Sequence, residues 1–538
     1  MKKALFLILL SCLGAVSFIW AVPAYNGPIK ITLADGTETT VYQHGDEAFH
    51  YLTTADGTWV RRTANGMLET VEPLSDEQIA VRRQQSSKRF VAHRASPTNI
   101  APRGLVILVN FNDLSFQPQN TREAMTAMFN EPNYTYRDAT GSVRDYFYAQ
   151  SFGQYSPQFD VVGPVTLSNG WSYYGNDGQY DEDINVKDLV KEACELAYEA
   201  GTDFSQYDND DDGVVDFVFI YYAGYNQAES GVEDEIWPHY YNFDKWETLM
   251  LNGKKISAYA CTSELSYTSK DRAGIGTFCH EFGHVLGLPD LYCTDYSSNH
   301  KTLGDWDIMD HGAYNNNGRT PPAYSAYERF FLGWLQPKVL SEPATIVMRN
   351  INETRQACVI TSTGEHNLIG NDPTPNEFYI LENRQRTGYD TFLPWHGLMI
   401  TKIDYNYTIW SRNTPNDNPN DMHVDLIEAN GNAPAGSPGK KSDLFPQGNT
   451  SYTPYEGYAI TNIKEIAVED GDSIIVFDFM GGGDTLELAT RPIFDEEEHI
   501  IAIYNIYGQL VGSKELVSLP AGMYIVCTDR RTKKVMVR

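Results

Sequence analysis

The stretch Cys279-His280-Glu281-Phe282-Gly283-His284-Val285-Leu286-Gly287-Leu288-Pro289-Asp290 gathers two imidazoles and two carboxylates in the pattern H-E-x-x-H-x-x-G-x-x-D. On a helix of about 3.6 residues per turn, His280 and His284 fall about 40° apart, so both rings leave one face toward a single point. That arrangement suits a tetrahedral zinc ion. Gly287 can take a positive φ and end the helix, and Pro289 prevents its resumption, so Asp290 can turn back as the third ligand. Three ligands leave a fourth position for water, and Glu281, beside the metal but not needed to hold it, can take that water's proton. Phe278, Phe282, Val285 and Leu286 recur at helical spacing on the other side, which predicts a helix buried there and chemical here.

Two further segments carry chemistry. Asp208-Asn209-Asp210-Asp211-Asp212-Gly213-Val214-Val215-Asp216 sets carboxylates at alternating loop positions, with Gly213 at the tight bend. The side chains of Asp208, Asp210, Asp212 and Asp216 and the Val214 carbonyl predict a structural calcium site. The twelfth loop position is Phe219 rather than Glu, and the loop runs into a strand, so this is not a helix-loop-helix sensor. Downstream of Asp290 the chain runs Asp307-Ile308-Met309-Asp310. Tyr314 or His311, just after it, could stabilise an oxyanion. Glu328 is an alternative third metal ligand, but it leaves Gly287 and Asp290 without a purpose.

The elements that must position these groups follow from patterning. Leu105 to Phe111 and Phe217 to Tyr222 read as buried strands; Thr121 to Phe129, Gly141 to Ala149 and Asp188 to Ala200 read as helices. Pro321 to Leu335 reads as a helix closing the domain. Resemblance to metzincins, in which a strand edge above the zinc binds extended substrate, implies that role for either Ile236 to His239 or Lys255 to Cys261. Cys194, Cys261, Cys279, Cys293 and Cys358 have no metal-ligand spacing to one another and could form disulfides in an oxidising compartment.

At 538 residues the chain exceeds one core. Residues 1–24 read as a signal peptide, with Lys2-Lys3, an apolar run and small residues at Ala21 and Ala24, so the protein is expected to be exported. Residues 25–95 alternate short strands with Asx-Gly turns and end in the basic linker Arg82 to Arg89, the pattern of a β-rich inhibitory propeptide. Residues 96–340 form the catalytic domain, 341–480 an all-β sandwich, and 485–538 a small C-terminal β domain after the hinge Gly481-Gly482-Gly483. The fold class is multidomain α+β. Net charge is −30, from 71 acidic and 41 basic residues, which disfavours nucleic acid as a partner; no stretch after the leader predicts a transmembrane anchor. A secreted adhesin or glycan-binding protein with a vestigial protease domain is the alternative function, against which the complete ligand set and Glu281 count.

H-E-F-G-H-V-L-G-L-P-D, the D-N-D-D-D-G-V-V-D loop leading to F-V-F-I-Y-Y-A-G, and S-A-Y-E-R-F-F-L-G-W-L together resemble the immune inhibitor A family of secreted zinc metallopeptidases. The Met309 segment resembles the Met-turn of metzincins. The resemblance implies a metzincin-like protease domain, a mixed sheet with an active-site helix, acting on proteins or peptides. It implies zinc at His280, His284 and Asp290, Glu281 as general base and acid, and calcium near Asp208–Asp216, with Asp211 standing where family members often have Gly. The tail from Ile501 to Arg538 resembles the C-terminal sorting domain of type IX secretion substrates, which implies contact with that secretion machinery and a location outside a Gram-negative cell.

Overall fold

The computed structural model describes residues 19–20, 22–47, 49–63, 67–75, 77–79, 101–177, 183–242, 249–294, 300–431, 439–467, 473–487, 500–505, 510–511, 522–528 and 532–537. Residues 1–18 of the expected leader and the basic linker Arg82 to Arg89 lie outside them.

A six-stranded sheet positions the site. Its strands are β1 (Ile19–Trp20), β2 (Arg103–Asn110), β3 (Gln158–Thr166), β4 (Val218–Tyr222), β5 (His239–Asn242) and β6 (Ala258–Ser263), in the spatial order β1-β5-β6-β4-β2-β3. β2, β3, β4 and β6 run parallel, while β5 pairs antiparallel with β6 and β1 antiparallel with β5. β2 and β4 are apolar on both faces because both faces are covered. Val106, Leu108, Phe219 and Tyr221 face one core; Leu105, Ile107, Val109, Val218, Ile220 and Tyr222 face the other.

Helices fill those two layers. α1 (Arg122–Asn130) and α2 (Val143–Gln150) lie on the first face, and α3 (Val186–Glu199) covers the second with Leu189, Val190, Ala193 and Ala197. α4 (Gly276–Val285) carries the histidines and packs Phe278 and Phe282 against Phe159, Phe217 and Phe219. The long helix expected from Pro321 to Leu335 is shorter: α5 spans Ala326–Phe331. Ser325 starts it by accepting from the Glu328 amide while the Glu328 carboxylate accepts from the Ser325 amide, so Pro321 to Tyr324 stay outside the helix.

Residues 29–70 form a five-stranded antiparallel sheet in sequential order, with turns at Gly36 and Gly57 as the Asx-Gly pairs predict. Between residues 338 and 487, a five-stranded and a four-stranded sheet share a core of Ile346, Ile360, Leu381, Ile400, Phe445 and Phe477. The first core nevertheless runs on past residue 340, through Phe378, Met399 and Val424. Four strands between Ile500 and Val537 make a last small sheet. Among the described residues no helix is long and apolar enough to cross a membrane. Cys194, Cys261, Cys279, Cys293 and Cys358 are all buried free thiols, so the disulfides that an oxidising compartment would permit among them do not form.

Candidate active site

α4 is held at both ends by backbone. Its first amide, on Gly276, donates to the Gly318 carbonyl at 2.8 Å. At its C-terminus Gly287 takes φ +97°, and the Leu288 amide reaches back to the Gly283 carbonyl at 3.0 Å. That left-handed residue and its six-to-one hydrogen bond stop the helix and turn the chain toward Asp290. The turn also presents the Leu288 carbonyl to His284 Nδ1 at 2.9 Å, while the Ile308 carbonyl meets His280 Nδ1 at 2.7 Å. A carbonyl can only accept, so both Nδ1 atoms carry the proton and both Nε2 lone pairs point inward.

Those lone pairs converge on one carboxylate oxygen. Asp290 Oδ1 lies 3.1 Å from His280 Nε2 and 3.4 Å from His284 Nε2, with all three residues buried. In the neutral rings, acceptors face one another, an arrangement that a cation resolves. The electrostatics agree. Burial alone would lower the His280 pKa, but Asp290 and Glu281 outweigh it and raise it to about 9. Burial and the neighbouring His280 leave His284 lowered. Asp290, against the cost of its own burial, is held down to about 2 by the two histidines. Two imidazoles with one carboxylate are a donor set for zinc.

Met309 lies under this group. A Cβ added to Gly283 would meet Met309 Sδ at 2.6 Å, so the thioether packs directly on the helix turn between the histidines. The Met309 carbonyl accepts from the Leu291 amide at 2.8 Å, tying this turn to the segment that delivers Asp290. Glu328 is spent on the Ser325 cap, which removes the alternative third ligand.

One positioning residue was not foreseen. Asn413, buried, accepts from the Asp290 amide through Oδ1 at 2.6 Å and donates through Nδ2 to Asp290 Oδ2. Both ends of its amide thus fix the aspartate, leaving Oδ1 for the centre. Its neighbours hold the same seam: Asn416 Nδ2 donates to the Leu291 carbonyl, and Asp417 accepts from Thr294. A sequence separation of 123 residues offers no local signal for this contact; only the polar, turn-rich composition of Asn413 to Asp421 marked the segment at all.

The second surprise is the N-terminal segment. β1 extends the sheet along β5: His239–Asn242 is the strand beside the cleft, and Ala258–Ser263 is interior. The chain then crosses the site. The Val22 amide donates to Glu281 Oε1 at 3.0 Å, Trp237 Nε1 donates to the Val22 carbonyl at 3.0 Å, and the Tyr314 hydroxyl donates to the Pro23 carbonyl at 2.7 Å. Burial pushes Glu281 well above the usual carboxylate range, and Asp290 adds to that push against the opposing charge of His280. Tyr314 therefore addresses a carbonyl in the cleft. His311 instead commits Nδ1 to Asp310 at 2.7 Å.

The acidic loop is only partly assembled. Asp208, Asp210 and Asp212 draw together, and Gly213 takes φ +92° at the bend. Asp216 turns to Asn209, accepting from its amide and its side chain at 2.7 Å each. Lys254 Nζ occupies Asp208 Oδ2 at 2.5 Å.

Comparison with known proteins agrees with this geometry. Residues 100–336 match the immune inhibitor A peptidase M6 catalytic domain. The M6-like domain thus contains α4, Asp290, Met309 and the acidic loop, and ends short of Asn413. The chain is 26% identical over 335 residues to the pre-pro-metalloprotease PrtV of Vibrio cholerae serotype O1, covering 52% of this chain and 36% of that protein. It is 28% identical over 214 residues to immune inhibitor A of Bacillus thuringiensis subsp. alesti, covering 35% of this chain and 31% of that protein. The chain spans about a third of the length of these curated relatives.

Proposed function

We propose that this protein is a secreted zinc-dependent endopeptidase made as a zymogen. The observation that carries the reading is the convergence of His280, His284 and Asp290 on one point beside Glu281, whose oxygen holds a backbone amide of extended chain. A zinc ion bound there would polarise a carbonyl and bring the pKa of a water molecule toward neutrality. Glu281 takes a proton from the attacking water and returns it to the leaving nitrogen, the position that the Val22 amide occupies on Oε1. The burial that raises Glu281's pKa favours its protonated form midway through the reaction. Tyr314, which donates to the Pro23 carbonyl, would donate likewise to the oxygen of a substrate carbonyl. β5 offers free backbone groups to a substrate once β1 leaves.

Residues 25–95 act as the propeptide, since their sheet follows directly on the segment that fills the cleft, and cleavage in the linker Arg82 to Arg89 begins its release. A leader that ends at Ala21 keeps the Val22 to Ala24 contacts. The acidic loop binds calcium as a structural ion, in competition with Lys254. Residues 485–538 address the chain to a secretion machinery of the type IX kind at a Gram-negative surface.

The test is Glu281→Gln in the processed protein, assayed on casein with zinc measured on the same sample. Hydrolysis should fall by about a thousandfold or more while one zinc per chain is retained. Undiminished hydrolysis would remove Glu281 from its role.

A further inference from the structure

The cleft-filling segment shows which side chain one wall of the cleft receives. Three residues beyond the amide that meets Glu281, Tyr25 turns into a pocket lined by Glu229, Thr268, Gly274, Thr277, Tyr314 and Gly318. This pocket lies between the start of α4 and the loop after Met309, on the same side as Tyr314, whose ring meets Tyr25 edge-on at 5.6 Å. The Tyr25 amide donates to the Ala228 carbonyl at 3.0 Å, which anchors the backbone, and the Tyr25 ring forms one wall of the pocket while also packing on the core of the residue 29–70 sheet. A cavity of about 20 Å³ remains beside the ring, room for one water or for a longer side chain.

The floor of the pocket is acidic. Glu229 is 6% exposed. Its Oε2 accepts from Ser266 Oγ at 2.7 Å and from the Thr268 amide and hydroxyl at 3.4 and 3.3 Å; Oε1 accepts from Asn226 Nδ2 at 3.3 Å. These donors are all neutral; a cation, Lys270, acts on Glu229 through space and is shared with Glu235. Burial and the charges of Glu229 and Asp305 raise the Tyr25 pKa, with Thr268 opposing. A buried carboxylate rewards a cationic tip and repels an anionic one far more than the same charge in water.

We propose that, in the peptidase reading above, this is a specificity pocket: it takes a long side chain with a hydrogen-bond donor at its tip, lysine and arginine ahead of tyrosine, and rejects aspartate and glutamate. Tyr25 is then the resident that keeps the pocket filled before the propeptide leaves.

Two measurements test this. In the full chain carrying Glu281→Gln, Tyr25→Arg should melt at or above the Tyr25 parent, and Tyr25→Asp several degrees below it. Adding Glu229→Gln should shrink the gap between those two variants by at least half; an unchanged gap overturns the inference. In the processed active protein, a peptide library read by mass spectrometry should show at least tenfold enrichment of Lys and Arg over Asp and Glu at one fixed position after the cut. The ratio should fall about tenfold in Glu229→Gln. Cleavage with no such preference overturns the pocket and leaves the peptidase; absence of any cleavage overturns the peptidase, and the melting comparison still decides the pocket.

Discussion

Among the described residues there are two clusters of metal-type ligands, and they are built on opposite terms. At His280, His284 and Asp290 every ligand is buried, each imidazole is oriented by a backbone carbonyl, and Asp290 is gripped by Asn413. Between 208 and 216, Asp210 and Asp212 are exposed, and the carboxylates are already met by their own loop. The Asp212 amide donates to Asp208 and Asp210, the Val214 amide donates to Asp212, and Lys254 lies on Asp208. Against the cost of burial, Lys254 and the Gly213 and Asp212 amides hold Asp208 below its ordinary pKa. The difference teaches that proximity of carboxylates is not preorganisation. The first cluster brings three buried ligands to one point; the second shares one carboxylate with a lysine and leaves Asp210 and Asp212 exposed.

Mutation should separate the two clusters most sharply at Asp290. Asp290→Ala should lose stoichiometric zinc and with it at least about a thousandfold in peptide hydrolysis, by metal analysis and kinetics. Asp208→Ala should leave both within severalfold. Full zinc occupancy in Asp290→Ala would mean that another residue is the third ligand.

Asn413→Ala should come next, weakening zinc about 10- to 100-fold in a competition with a chelator while the fold persists. If its affinity equals that of the parent, the amide orients nothing that the metal feels. For the loop, a calcium-selective chelator should lower the melting midpoint by a few degrees, and Lys254→Met should enlarge that shift by freeing Asp208 for the ion. No shift in either protein would argue against calcium.

The smallest effect concerns acid. His239, on β5, is buried with Nδ1 on the Trp237 carbonyl and Nε2 on the Tyr259 hydroxyl, and burial lowers its pKa to about 4. Above pH about 6.5 the ring is neutral in both folded and unfolded chains and contributes no pH dependence. As pH falls from about 6.5 toward 4 the unfolded chain gains the proton first, so stability is lost across that window, by about 3 kcal/mol at most. His239→Gln should flatten the melting profile there. An unaltered slope would assign acid sensitivity elsewhere.

What could be read in the sequence divides along the same line. His280, Glu281, His284, Asp290 and Met309 were legible because helix periodicity and one glycine-proline turn bring them together within a short span. Asn413 was not, since its role depends on how the later sheets pack back on the catalytic core. The Val22 to Tyr25 segment was hidden for a different reason. Its small apolar residues follow a leader-like run, and the hydropathy of a cleft-filling strand is indistinguishable from that of the leader's end. The acidic loop was legible as a spacing, but Lys254 enters from a separate strand and Asp216 turns to Asn209, neither of which spacing encodes.

Asn413 has one more consequence. The segment that matches the peptidase family ends at residue 336, yet the amide that fixes the third ligand is supplied 77 residues later. A fragment cut at the family boundary would keep every atom of the H-E-x-x-H-x-x-G-x-x-D signature while releasing its aspartate. The family-matched stretch and the unit that fixes Asp290 are therefore different lengths of chain.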